Sequence, residues 1–293
     1  MRNRMPRPDG ADGQQTIRIL VFVPITLLLL TIVVFAALTG QFNDSINAYY
    51  GGPARDVFVG CLTAAALGVV AFRGCSDLED LALNCAGFYA PIVAFVPFDF
   101  SRSAPTVRVQ GEADPTLSLR VILLCYLVAA VGFVLFDYFK GPWPLGRLWQ
   151  GTVGTRVLVT AALVGLAGQT MLVLIRVFEP DTRFAGLHLV AAFLLIASLI
   201  ITVASHVVAP RHRGGVHDAA HRPGTGLRSL YLGLLVGRVV GGPALWYGLR
   251  AAGVSSALLW VETLELGLFM VFWGFEIRRH WTVGTYGSVP VTV

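Results

Sequence analysis

The sequence predicts an all-α fold: a polytopic transmembrane helical bundle of about eight spans, with both termini cytoplasmic. Three observations carry that prediction. The chain is 55% hydrophobic and only 13% charged, with a mean hydropathy of +0.70, whereas a soluble domain carries about 25% charged residues. Apolar runs recur along the chain, each close to the roughly 20 residues that cross about 30 Å of hydrocarbon. With the N-terminus inside, fourteen of the 22 basic residues fall in inner segments, seven in outer ones, and Arg238 within a span. That two-to-one excess follows the positive-inside rule.

The spans are justified in chain order. The first, about 18–39, follows Arg2, Arg4, Arg7 and Arg18. Its apolar core from Ile19 to Leu38 exceeds the roughly 7–15 residues of a cleavable signal core, so it reads as an uncleaved signal anchor. The second and third, about 56–73 and 81–98, are the shortest. The fourth to sixth, about 118–138, 155–178 and 185–208, are strongly apolar. The last two, about 227–249 and 254–276, form a hairpin turning near residues 251–252. Lipid admits only helices and closed barrels, and no barrel-like alternation is visible, so all eight are helices. The organisation expected is a disordered cytoplasmic tail over 1–16, one transmembrane domain over 17–280 and a cytoplasmic tail over 281–293.

Several function classes find no support. The formal charge of +5 and pI near 9.3 come from scattered basic residues, with no dense stripe or aromatic-basic motif, so nucleic acid is not an expected partner. Of Cys61, Cys75, Cys85 and Cys125, three fall in apolar segments and none makes a C-x-x-C pair. There is no P-loop, G-x-G-x-x-G or G-x-S-x-G, so neither a cofactor nor a nucleophile elbow is expected. His206, His212, His217 and His221, with Asp218, have ligand chemistry for zinc. The surrounding glycines and arginines read instead as a solvated basic loop, and no metal site is expected. Membrane hydrolases of the alkaline-ceramidase type hold zinc with histidines near the interface, but His188 and His206 fall near opposite ends of the sixth span. A Ser45–His188–Asp44 triad is imaginable, but adjacent Asp and Ser on a loop usually cap a helix.

The chemistry concentrates in the last hairpin. Trp260-Val261-Glu262-Thr263-Leu264-Glu265-Leu266-Gly267 places two carboxylates in an apolar stretch, and Arg238 lies alone in the preceding span. A single charge at the centre of a span costs about 2.5–3.5 kcal/mol, so such residues are usually paired and often functional. In an antiparallel hairpin, residues at equal depth have numbers summing to about 503, which matches Arg238 with Glu265. Glu262 shares the face of Glu265, one turn nearer the outer side and without an assigned cation. Gly237, Gly241, Gly242 and Pro243 surround Arg238. Glycine permits close helix approach, and proline removes a backbone donor and kinks the helix. Glu276 with Arg278, Arg279 and His280 reads as an interfacial anchor, as do Asp137 and Lys140.

The first outer loop is the second focus. Asp44 or Ser45 has the chemistry to cap a short interfacial helix. Tyr49 and Tyr50 suit the headgroup layer. Asp56 complements the N-terminal dipole of the second span, and Arg55 is a candidate for an anion or lipid phosphate. The run D-S-I-N-A-Y-Y followed by R-D-V-F-V-G resembles the D-S-I-(S/N)-A-Y-Y … R-D-V-F-V-G signature of a family of bacterial polytopic membrane proteins. There it follows the first span, and a late span carries a glutamate before a Phe/Trp-rich helix, as Glu262 or Glu265 precedes Phe269, Phe272 and Trp273 here. The resemblance implies a multi-pass protein of the bacterial cytoplasmic membrane and carries no activity.

The leading expectation is binding or transport of a small or amphipathic molecule, with membrane lipid as surroundings. Its path runs from Asp44, Ser45, Tyr49, Arg55 and Asp56 to Arg238, Glu262 and Glu265. The alternatives are an interfacial lipid-modifying enzyme and a structural or assembly component of the cell envelope, in which the buried charges only lock the fold.

Overall fold

The computed structural model describes residues 9–40, 42–51, 54–72, 74, 76–100, 114–140, 145–179, 184, 186–208 and 225–286 of the chain. Helices make up nearly all of them, and no strand occurs among the described residues. In chain order they are α1 (Asp9–Thr39), a 3₁₀ helix (Ile46–Gly51), α2 (Arg55–Ala71), α3 (Asp77–Phe95), α4 (Pro115–Lys140), a short α5 (Leu145–Trp149), α6 (Val153–Phe178), α7 (Leu187–Val208), α8 (Thr225–Val236), a π-helical turn (Gly237–Gly241), α9 (Gly242–Ala251) and α10 (Ala257–Tyr286). Seven helices, counting α8 to α9 as one, are long and apolar enough to cross a membrane. The protein is a multi-pass helical membrane protein.

Its outer surface fits that solvent. On α4, Val128, Phe136 and Phe139 are 73%, 59% and 80% exposed. An apolar face on that scale is costly in water and natural against lipid.

Local chemistry sets the boundaries. Ser76 caps α3, its hydroxyl accepting the Glu79 amide at 3.2 Å, so α3 starts four residues before the apolar run does. Thr152 caps α6 through the Thr155 amide at 3.2 Å. Gly253 adopts φ +74 in the turn between α9 and α10, a conformation glycine takes without the Cβ penalty. The disordered tail expected over 1–16 is helical from Asp9, and α10 continues to Tyr286 into the expected C-terminal tail. The histidine-rich stretch with His212, His217, His221 and Asp218 lies outside the described residues.

The bundle has two ends tied by different contacts. At one end Asn47 Oδ1 accepts the Phe98 amide at 2.7 Å, and the Asp44 carbonyl accepts the Leu259 amide at 3.0 Å. At the other, Arg147 pairs with Asp77 at 3.0 Å, and Trp273 Nε1 donates to the Arg18 carbonyl at 2.9 Å. Helix α2 runs from the first end, where Phe58 packs with Ile46 and Tyr49, to the second, where the Arg18 guanidinium lies 4.8 Å over the Phe72 ring. The two larger apolar cores follow this division. One surrounds the 3₁₀ helix, and the other is built on Phe72, Tyr231, Phe269, Phe272 and Trp273. The candidate site lies between them.

Candidate functional site

Arg238 is placed by an irregularity in its own helix. Pro243 has no N–H, so the ordinary bond to the residue 239 carbonyl is missing. The helix widens here: the Gly242 amide reaches back five residues to the Gly237 carbonyl. Such π turns are rare and frequent at functional sites. The kink expected at Pro243 is thus realised as a π turn one step before it. This turn carries Arg238 to the interior, where it is 1% exposed.

Its partner is Glu265. Arg238 Nε donates to Glu265 Oε2 at 2.9 Å, and Glu265 is 4% exposed. Depth matching across the hairpin anticipates this pair. Gly242 makes room for it: a Cβ there would lie 2.8 Å from Glu265 Oε1. Phe269 lies 5.9 Å from the Arg238 guanidinium carbon and closes one side. Nη1 and Nη2 of Arg238 have no hydrogen-bond partner, so the pair leaves most of the guanidinium unspent.

Glu262 is held differently. Its Oε2 accepts the Ile46 amide at 2.7 Å. The loop that carries the 3₁₀ helix is therefore joined to α10 twice, through Glu262 and through the Asp44 carbonyl. The loop after α1 and the late acidic span, far apart in sequence, form one structure. Asn47, on the same 3₁₀ helix, is 5% exposed. Its Oδ1 is used by Phe98, and its Nδ2 has no partner.

These groups surround a cavity of about 120 Å³. Its polar lining is Asn47, His188, Arg238, Glu262 and Glu265, with the Cys61 thiol; the rest is apolar side chains of α1, α2, α3, α7 and α10 and Ile46 of the 3₁₀ helix. A cavity needs only about 10–15 Å³ of such volume to hold one water. His188 Nδ1 donates to the Val96 carbonyl at 2.6 Å, so that nitrogen carries a hydrogen.

The candidates on the loop after α1 divide. Ser45 is a cap, its hydroxyl accepting the Ala48 amide at 3.1 Å. Asp56 occupies the first turn of α2, as its dipole favours. Tyr49 corrects its expectation. It is 2% exposed and packs edge-on against Phe35 with ring centroids 5.5 Å apart, so it is core and not a headgroup anchor. The side chain of Tyr50 lies outside the described residues. Asp44, Ser45, Tyr49, Arg55 and Asp56 do not line the cavity. From this loop, Ile46 and Asn47 do. No Ser45–His188–Asp44 relay is assembled, because the Ser45 hydroxyl and the His188 Nδ1 each serve a backbone group.

A second polar cluster was not legible. His206 Nε2 lies 3.1 Å from Glu79 Oε1, and its Nδ1 3.9 Å from Glu276 Oε1. Tyr231 donates to Glu276, and Arg279 pairs with it at 2.8 Å. Glu79, His206 and Glu276 are 1%, 7% and 3% exposed. Glu276 is thus part of a buried network and not an interfacial anchor. The signal for Glu79 was ambiguous: Ser76-x-x-Glu79 reads as a capping box, whose glutamate stays at the helix start. His188 and His206 sit near opposite ends of α7, about 27 Å apart along its axis at 1.5 Å per residue. Among the described residues no three His, Cys, Asp or Glu side chains are disposed to hold a metal ion.

Comparison with family models, with curated proteins and with solved structures finds no match for the chain. The functional reading rests on the site itself.

Proposed function

We propose that the protein binds a small or amphipathic molecule inside the membrane and moves it across, with a buried glutamate taking up a proton or cation. The carrying observation is the cavity that places Arg238, Glu262 and Glu265 together under the 3₁₀ helix. A clip serving only the fold has no need of a cavity, nor of a guanidinium with two free nitrogens. The π turn beside Arg238 adds to this reading, because such turns persist where a function uses them. The lipid-modifying alternative has less support, since Ser45 and Asp56 act as caps or dipole partners.

The setting we propose is the bacterial cytoplasmic membrane, with eight crossings and both termini inside. The excess of basic residues on one side favours that orientation. The 17 residues of α2, too few to be counted among the seven long spans, extend about 25 Å. Its contacts at both ends of the bundle favour its being a crossing.

The test is proton movement in proteoliposomes loaded with a pH-sensitive dye. Short-chain acids, amines and polyols are added in turn under an imposed pH gradient. One chemical class is expected to drive a proton flux that empty vesicles lack. A folded Glu262→Gln plus Glu265→Gln protein with the same flux would remove the reading.

A further inference from the structure

The chemical class of the ligand can be read from what the cavity leaves unsatisfied. Buried polar groups in native proteins nearly always find partners. Here Arg238 is 1% exposed and spends only Nε on Glu265, leaving the four N–H groups of Nη1 and Nη2 without an acceptor. Asn47 is 5% exposed and leaves Nδ2 without one. Both residues line the same cavity. The fully buried polar atoms of this lining that lack a partner are therefore all donors, and the larger set belongs to a guanidinium. Its planar fork matches the two oxygens of a carboxylate or phosphate.

Size and lining narrow the class further. A cavity of about 150 Å³ holds a benzene ring, so one of this size holds roughly six heavy atoms. Most of its wall is aliphatic or aromatic, which suits an apolar body beside the charged head. We propose that the cavity binds a molecule with an oxyanion head, a carboxylate or phosphate monoester on a short apolar body, held by Nη1 and Nη2 of Arg238 and Nδ2 of Asn47. This rests on the intramembrane-site reading above and names its ligand class.

Charge balance gives the proposal a second consequence. Arg238 and Glu265 cancel each other. The other titratable groups facing the cavity are Cys61 of α2, His188 of α7 and Glu262 of α10. The lining side chains of α1 and α3 are all apolar, and the 3₁₀ helix offers Ile46 and Asn47. An anion arriving beside an ionised Glu262 leaves two uncompensated negative charges in a low-dielectric site. The anion therefore enters with a proton on Glu262, which removes one of these negative charges while the carboxyl still accepts the Ile46 amide.

The experiment is equilibrium binding to the full-length protein in nanodiscs of neutral phosphatidylcholine, with radiolabelled butyrate and ethyl phosphate as soluble anions. Dodecanoate and dodecyl phosphate represent the same heads drawn from a bilayer, and butylammonium and butanol are the charge controls. Saturable binding of at least one anion is expected, with none for butylammonium or butanol. Affinity should rise as pH falls, and that rise should vanish in Glu262→Gln. Arg238→Lys keeps a cation for Glu265 but lacks the fork, and should weaken binding about tenfold or more. Arg238→Gln with Glu265→Gln keeps the interior neutral and should abolish it. Binding that favours butylammonium or butanol and is lost in that double variant would overturn the anion assignment and leave the intramembrane site standing. Anion binding that survives the double variant would overturn it as well. No saturable binding of any probe would remove both readings.

Discussion

At the scale of single residues, the energetics of Arg238 decide between its roles. A buried pair costs most when one partner is removed, because the other is left charged and unpaired. Arg238→Gln alone should therefore destabilise the protein by about 3–5 kcal/mol. Arg238→Gln with Glu265→Gln should recover most of that loss, since two neutral amides can hydrogen-bond across the same gap. Thermal unfolding in detergent, followed by loss of monodisperse protein, reads the difference. A double variant as unstable as the single would mean that the pair is not the partnership the 2.9 Å contact describes. The pair itself was legible, because hairpin depth depends only on helix rise and a turn position. Glu262 was half legible. Its lack of a cation followed from counting charges, but its bond to the Ile46 amide did not. That contact joins residues 216 apart, and no local pattern encodes it. Tyr49 misled for a related reason: tyrosine suits interfaces, and only tertiary packing against Phe35 makes it core.

At the scale of elements, the π turn and the 3₁₀ helix are the parts that build the site. The π turn inserts one extra residue into an otherwise α-helical span, and each residue turns an α-helix by about 100°. Deleting Val240, which is 58% exposed, should restore an α register and rotate Arg238 away from Gly242 and Glu265. The expected outcome is a protein that still inserts in the membrane but has lost binding of the probe anions. Retained binding at the original affinity would show that the wide turn is incidental. The sequence Gly241-Gly242-Pro243 announced an irregularity, since proline removes a donor whatever surrounds it. The form it took depended on Gly242 admitting the Glu265 carboxylate, which is a property of the neighbouring helix. The 3₁₀ helix was anticipated through its Ser45 cap. Its role as a roof over the cavity rests on Ile46 and Asn47, whose side of the loop periodicity cannot assign. The short α5 had no expectation at all, being five residues long.

At the scale of the whole molecule, eight apolar runs became helices with boundaries within a few residues of those expected, except that α1 already begins at Asp9 and α10 continues to Tyr286. Apolar runs near 20 residues have one outcome in lipid. What composition does not encode is which helices meet. The cluster of Glu79, His206, Tyr231 and Glu276 needs α3, α7, α8 and α10 to converge. The cavity likewise needs α1, α2, α3, α7 and α10 to stop short of close packing around a few polar groups. The central claim is that this interior space is a working site reached from water. Cys61 lines it, and Cys85, also buried, does not. Two proteins, each retaining only one of these cysteines, are reconstituted in vesicles and treated with a membrane-impermeant, sulfonate-bearing thiosulfonate. Cys61 should be modified in the native state while Cys85 stays protected, and butyrate or ethyl phosphate should slow the Cys61 reaction. Labelling of Cys61 as slow as that of Cys85, with no effect of either anion, would contradict the claim and leave Arg238 and Glu265 as a clip that serves the fold.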